Sequence, residues 1–143
     1  MCIRDRHSGK IDYIVGSTHH VNGIPIDFDE ATYHKSIQSL PTPTLLSFLE
    51  VYFDNQFTLL QRFHPEVIGH IDLCRLYTPN LELEKDYPSV WSKIERNILY
   101  AIEYGAVFEM NAAAFRKGWK TAYPGKDIAK VRHFFSVGYL LRL

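Results

Sequence analysis

The chain has 143 residues, 46% of them hydrophobic and 22% charged, with 16 basic and 16 acidic side chains and a formal net charge of zero. That length holds one compact domain, and the composition excludes intrinsic disorder. The balanced charge leaves no polyelectrolyte footprint for nucleic acid or an anionic membrane.

No apolar run reaches the roughly 20 residues of a membrane-spanning helix. The two cysteines, Cys2 and Cys74, form neither a CxxC pair nor a disulfide framework, which points to a reducing, cytoplasmic setting.

Met1-Cys2-Ile3-Arg4-Asp5-Arg6 resembles a translated sequencing-adaptor tail and lacks the apolar region of a secretory signal. Residues 1–10 are therefore set aside, and 11–143 are expected to hold the domain. Tyr13–Thr18 is a short β-prone apolar run, read as a buried strand. Asn22-Gly23 with Pro25 marks a turn or loop, expected to continue through the polar stretch 27–40. Pro41 and Pro43 precede a helix that Thr44 caps. Its Leu45, Leu49, Tyr52, Phe53, Phe57 and Leu60 share one face.

Val67–Ile71 is the second strand, followed by a loop carrying Pro79 and Pro88. A helix from Ser89 points Trp91, Ile94, Ile98 and Ile102 inward and stops at Gly105. Ala106–Met110 is the third strand. Beyond Pro124-Gly125, residues 127–135 suit a last amphipathic helix, and the apolar 134–143 reads either as a terminal strand or as a cut reading frame. Alternating strand and helix is the pattern of an α/β protein with a parallel sheet.

In such folds ligands bind at the carboxyl ends of the strands, where loops converge. Here those ends carry His19-His20, then His70 and Asp72, then Glu109 and Asn111. Each has a plainer reading. His19-His20 suits a turn pair capping backbone groups, His70 a core histidine satisfied by a carbonyl, and Glu109 a buried ion pair. Together they offer imidazole and carboxylate donors suited to zinc, iron or manganese. Arg75 and the segment Phe115-Arg116-Lys117-Gly118-Trp119 add cations that suit phosphate oxygens, or simply a solvated surface. A rim of metal donors and cations points to metal-assisted hydrolysis of a phosphate ester. Cys74 reads as a small buried hydrophobe, and His7, His34, His64 and His133 as surface residues.

Three segments in order carry a family resemblance: Asp12–Asp29, containing Gly16-Ser17-Thr18-His19, Val67–Arg75, containing Gly69-His70, and Phe108–Trp119 with Tyr123-Pro124. Together they resemble the histidinol-phosphate phosphatases of the PHP (polymerase and histidinol phosphatase) superfamily, the fungal type above all. The resemblance implies part of a distorted, TIM-like (β/α)7 barrel with parallel strands and up to three divalent metals at the strand ends. It implies hydrolysis of L-histidinol phosphate to L-histidinol and phosphate in histidine biosynthesis. The substrate is then a small-molecule phosphate ester, with neither nucleic acid nor membrane as partner.

By the same resemblance His19 and His70 match metal ligands, while Arg75, Arg116 and Lys117 match residues that hold the phosphate. His20, Glu109 and Asn111 stand behind them in supporting roles. The family's His-x-His pair and its late Asp-x-His ligands have no counterpart in this chain, so the expectation is a partial, inactive domain of a phosphatase. The alternatives are a non-catalytic PHP-like binding domain and a PHP phosphoesterase acting on another ester.

Overall fold

The computed structural model describes residues 11–131 and the backbone of 139–142. The expected tail at 1–10, residues 132–135 of the amphipathic helix expected over 127–135, and His7 and His133 thus lie outside the described residues, and the helix itself runs only over Lys126–Ala129.

Four strands form one parallel sheet: β1 (Val15–Gly16), β4 (Val67–Ile68), β5 (Val107–Asn111) and β6 (Tyr139–Arg142), in the order β1-β4-β5-β6. Register is fixed by Val15 opposite Val67, Val67 opposite Val107, and Phe108 opposite Tyr139. The three strands expected from the apolar runs are all present, two of them shortened to a pair of residues. The terminal-strand reading of the last residues is also met, on β6.

Between β1 and β4 the chain makes a hairpin, β2 (His20–Val21) and β3 (Ile24–Pro25), around Asn22-Gly23. Both turn residues have positive φ, 51° and 75°, the pairing that fits a two-residue turn to the twist of its strands. The hairpin leads into α1 (Glu30–Gln38), capped by Asp29, whose side chain accepts from the Thr32 N–H. This corrects the expectation of a continuous loop over 27–40. The helix buries only Tyr33, Ser36 and Ile37, too narrow a stripe to register as amphipathic in the sequence.

The long helices are α2 (Leu45–Phe63), capped by Thr44 as expected, and α4 (Pro88–Glu103). Gly105, at φ 84°, ends α4: its N–H reaches the Ile102 carbonyl, and the next N–H reaches that of Ala101. The two helices pack together, burying Phe48, Leu49, Phe53 and Leu60 against Val90, Ile94 and Ile98. Each such side chain contributes about 1.5–3 kcal/mol. Ile68 and Phe108 join that core from the sheet. Gly16 lies so close to α2 that a Cβ there would press on Leu59 and Pro65. Short helices α3 (Leu83–Asp86), α5 (Ala113–Arg116) and α6 (Lys126–Ala129) complete the chain. None of the helices among the described residues is long and apolar enough to cross a membrane.

Candidate functional site

Because β1, β4 and β5 are parallel, their carboxyl ends open on one side, and residues at alternating positions face one cleft. That cleft has a volume of about 700 Å³, and its lining includes Ser17, His19, His70, Glu109 and Asn111. Two of its features depend on glycine and on the hairpin. Gly69 lets β1 and β4 close up: a Cβ at that position would collide with Ser17 Oγ and stand 3.1 Å from Val15. The hairpin doubles the chain back so that Ile26 N–H reaches the His19 carbonyl, which sets Asp27 beside the His19 ring.

The imidazoles of His19 and His70 meet edge to face, 4.8 Å between centroids. His19 Nδ1 lies 2.9 Å from Asp27 Oδ2. A carboxylate only accepts, so Nδ1 carries a proton, and in the neutral ring the lone pair is on Nε2. His70 is mostly buried, and its Nδ1 has no hydrogen-bond partner among the described residues. Burial first, and then the adjacent His19, hold the His70 ring below the usual imidazole range. It is thus kept in the neutral form that can donate a lone pair.

Glu109 is buried in β5, and its Oε2 accepts from the His70 backbone N–H and from Asn111 Nδ2, each at 3.0 Å. Asn111 Oδ1 in turn accepts from the Ala113 N–H at 2.8 Å, which ties the strand end to α5. Both of these donors to Glu109 are neutral.

The cations are placed differently. Arg75 is buried and lines another cleft, of about 570 Å³, with Trp119 and Asp127. Its Nη1 donates to both oxygens of Asp127, at 2.8 and 2.9 Å, and its Nη2 to the carbonyls of Pro79 and Leu81. Nη1 also stands 3.5 Å from Asp72 Oδ2, which accepts from the Gly125 N–H. Arg116 and Lys117, at the end of α5, are exposed, as is His20 in β2. The structure therefore brings together His19, His70, Glu109 and Asn111, and leaves Arg75, Arg116, Lys117 and His20 out of the lining of that cleft. Cys74 is buried with its thiol pushed up by that burial, as a small hydrophobe would be. Asp27 is the site residue that the sequence reading missed; the Asn-Gly hairpin signal, followed through, pairs His19 with Ile26 and brings the next residue, Asp27, beside the ring.

Among the described residues, no group of three His, Cys, Asp or Glu converges as a closed metal site requires. His19 and His70 present two imidazole donors, one backed by a carboxylate and the other with an orphaned ring nitrogen. They fit two positions of a larger donor set.

No protein-family model matches the chain. Among curated proteins, it is 52% identical over 124 residues to the "Probable histidinol-phosphatase" of Schizosaccharomyces pombe. It is 32% identical over 142 residues to the histidinol-phosphatase of Saccharomyces cerevisiae. The chain is similar to these two proteins over most of its own length. It spans 40% and 42% of the length of those two relatives, with 85% of its own length matched in each case.

A crystal structure from Listeria monocytogenes, provisionally assigned as a histidinol phosphatase, matches with a TM-score of 0.70 over 96% of this chain and 54% of that one. At 20% identity this likeness to a histidinol phosphatase structure speaks for the fold alone.

Proposed function

We propose that this chain is a segment of a metal-dependent phosphomonoesterase that hydrolyses L-histidinol phosphate to L-histidinol and phosphate, in a cytoplasmic setting. The observation that carries this reading is the edge-to-face pair of His19 and His70, with His19 backed by Asp27. The names of the relatives supply the substrate. The four parallel strands, in this reading, are part of a (β/α)7 barrel of the PHP type.

His19 Nε2 and the neutral His70 ring are the donors for divalent zinc, manganese or iron, with the remaining donors supplied from outside the described residues. A bound divalent ion lowers the pKa of a coordinated water and takes up charge on phosphoryl oxygens. Asp27 holds the proton on His19 Nδ1, and Glu109 and Asn111 keep the His70 backbone in register with β5. The exposed Arg116 and Lys117 are the cations assigned to the substrate phosphate. Arg75, with its guanidinium committed to Asp127 and two carbonyls, is assigned instead to holding its loop.

The test is phosphate release from L-histidinol phosphate by a full-length polypeptide carrying this segment. Turnover should vanish after dialysis against a strong chelator, return with added divalent metal, and fall by orders of magnitude in a His19→Ala, His70→Ala double variant. The chain alone should be inactive. Unchanged hydrolysis after complete metal removal overturns the reading. The lack of a third donor among the described residues favours a second reading, a non-catalytic binding domain. That domain would bind the phosphate ester without turnover in the full-length polypeptide as well.

A further inference from the structure

His70 holds a backbone conformation its residue type rarely adopts, with φ at +21°. Such a conformation persists only where its surroundings over-determine it. Two restraints are local: its N–H donates to Glu109 Oε2, and its carbonyl accepts from the Leu73 N–H, both at 3.0 Å. Another comes from the helical layer behind. The carbonyl of Ile71, the next residue, accepts from Gln56 Nε2 at 3.0 Å and from the Tyr52 hydroxyl at 3.3 Å. Both donors are buried on α2.

The Gln56 amide has its orientation set from α4. Its Oε1 accepts from Asn97 Nδ2 at 3.1 Å, and that same amino group donates to the Phe53 carbonyl at 2.8 Å. Asn97 Oδ1 accepts from Arg96 Nε. With Oε1 so occupied, Gln56 turns its amino group to Ile71. Two buried amides among the apolar side chains between these helices carry a desolvation cost that leucines would avoid. Of the two, Gln56 reaches the Ile71 carbonyl, which adjoins the strained histidine, and Asn97 holds Gln56.

We infer that Gln56, oriented by Asn97 and assisted by Tyr52, is a positioning residue that grips the Ile71 carbonyl and so keeps the His70 imidazole edge-on to His19. The inference rests on the reading of those two histidines as donors.

The test uses the 143-residue chain without metal or substrate. Its readouts are the nuclear Overhauser cross-peak between the two imidazoles and the exchange rate of the His70 amide relative to that of Ile98 in α4. Gln56→Met is close in volume and removes only the amide. Tyr52→Phe removes only a hydroxyl. Lys93→Met cuts an ion pair between the same two helices, to Asp54, without touching the loop. Gln56→Met should lose the cross-peak and speed His70 exchange about tenfold relative to Ile98. Tyr52→Phe should do so in the same sense and less, and Lys93→Met should leave both readouts at the wild-type value.

The proposal is overturned if the first two variants leave both readouts unchanged, or if Lys93→Met reproduces their effect. Should Gln56→Met not fold, Tyr52→Phe decides by the same criterion. Neither readout involves hydrolysis, so a negative result here leaves the phosphatase reading standing, and the converse holds as well.

Discussion

Asp27 Oδ2 stands 2.9 Å from His19 Nδ1, although the two residues are eight positions apart and separated by a complete hairpin. The contact decides which ring nitrogen of His19 faces the cleft with a lone pair. Replacing the carboxylate should release that choice. In Asp27→Ala, nitrogen chemical shifts of His19 should move from the Nδ1-protonated pattern toward the mixture of a free imidazole. An unchanged tautomer would show that the carboxylate is incidental.

Glu109 bridges two strands by accepting from the His70 N–H of one and the Asn111 side chain of the other. Glu109→Ala leaves both donors unanswered, and should lower unfolding free energy by about 2–4 kcal/mol in urea titrations. Glu109→Gln, which retains an acceptor oxygen, should cost less than half as much. Equal losses in the two variants would mean that the negative charge, which both remove, is what matters.

Asp72 gives the chain a pH signature. Full burial pushes its carboxyl up to about 6 from an ordinary 3.8, with Arg75 opposing the shift. The folded state therefore binds this proton more readily than the unfolded state, so ionisation of Asp72 costs stability as pH rises from about 4 to about 6. Asp72→Asn should remove that slope, up to about 3 kcal/mol, from urea midpoints measured across the window. Arg75→Met removes the opposing cation and should extend the slope to higher pH. Parallel wild-type and Asp72→Asn profiles would rule the assignment out.

Gly69 is the spacer between the first two strands of the sheet. Gly69→Ala drives a methyl group into Ser17 Oγ and against Val15. The expected cost is about 1–3 kcal/mol. Adding Ser17→Gly should recover most of it, and a double-mutant cycle in thermal or urea unfolding would read the coupling. Additive losses would place the clash elsewhere.

Much of the fold is legible in the residues themselves. The Thr44 cap, the Gly105 stop and the apolar runs at 67–71 and 106–110 announce their elements, because local sterics and a simple hydrophobic period decide them. The α1 helix is hidden because its nine residues bury little, and only the Asp29 cap, an i to i+3 contact, marks it. For the site, Gly-Ser-Thr-His and Gly-His place His19 and His70 at neighbouring strand ends, and the structure seats their rings together. Arg75 was not legible in the same way. Its partner Asp127 lies 52 residues further along the chain, and no spacing rule links the two. Gln56 and Asn97 carry no sequence signal of their own, because the contacts they make, to the Ile71 carbonyl and to each other, join distant parts of the chain.

The parallel order of β1, β4 and β5 has a consequence for how this molecule comes into being. Parallel neighbours cannot be zipped by a tight turn, and each pairing must wait for the intervening helices to dock. The two imidazoles therefore have no rehearsal in any local fragment. Their meeting requires the β1–β4 pairing, and a ring-to-ring signal during refolding would serve as a clock for that step.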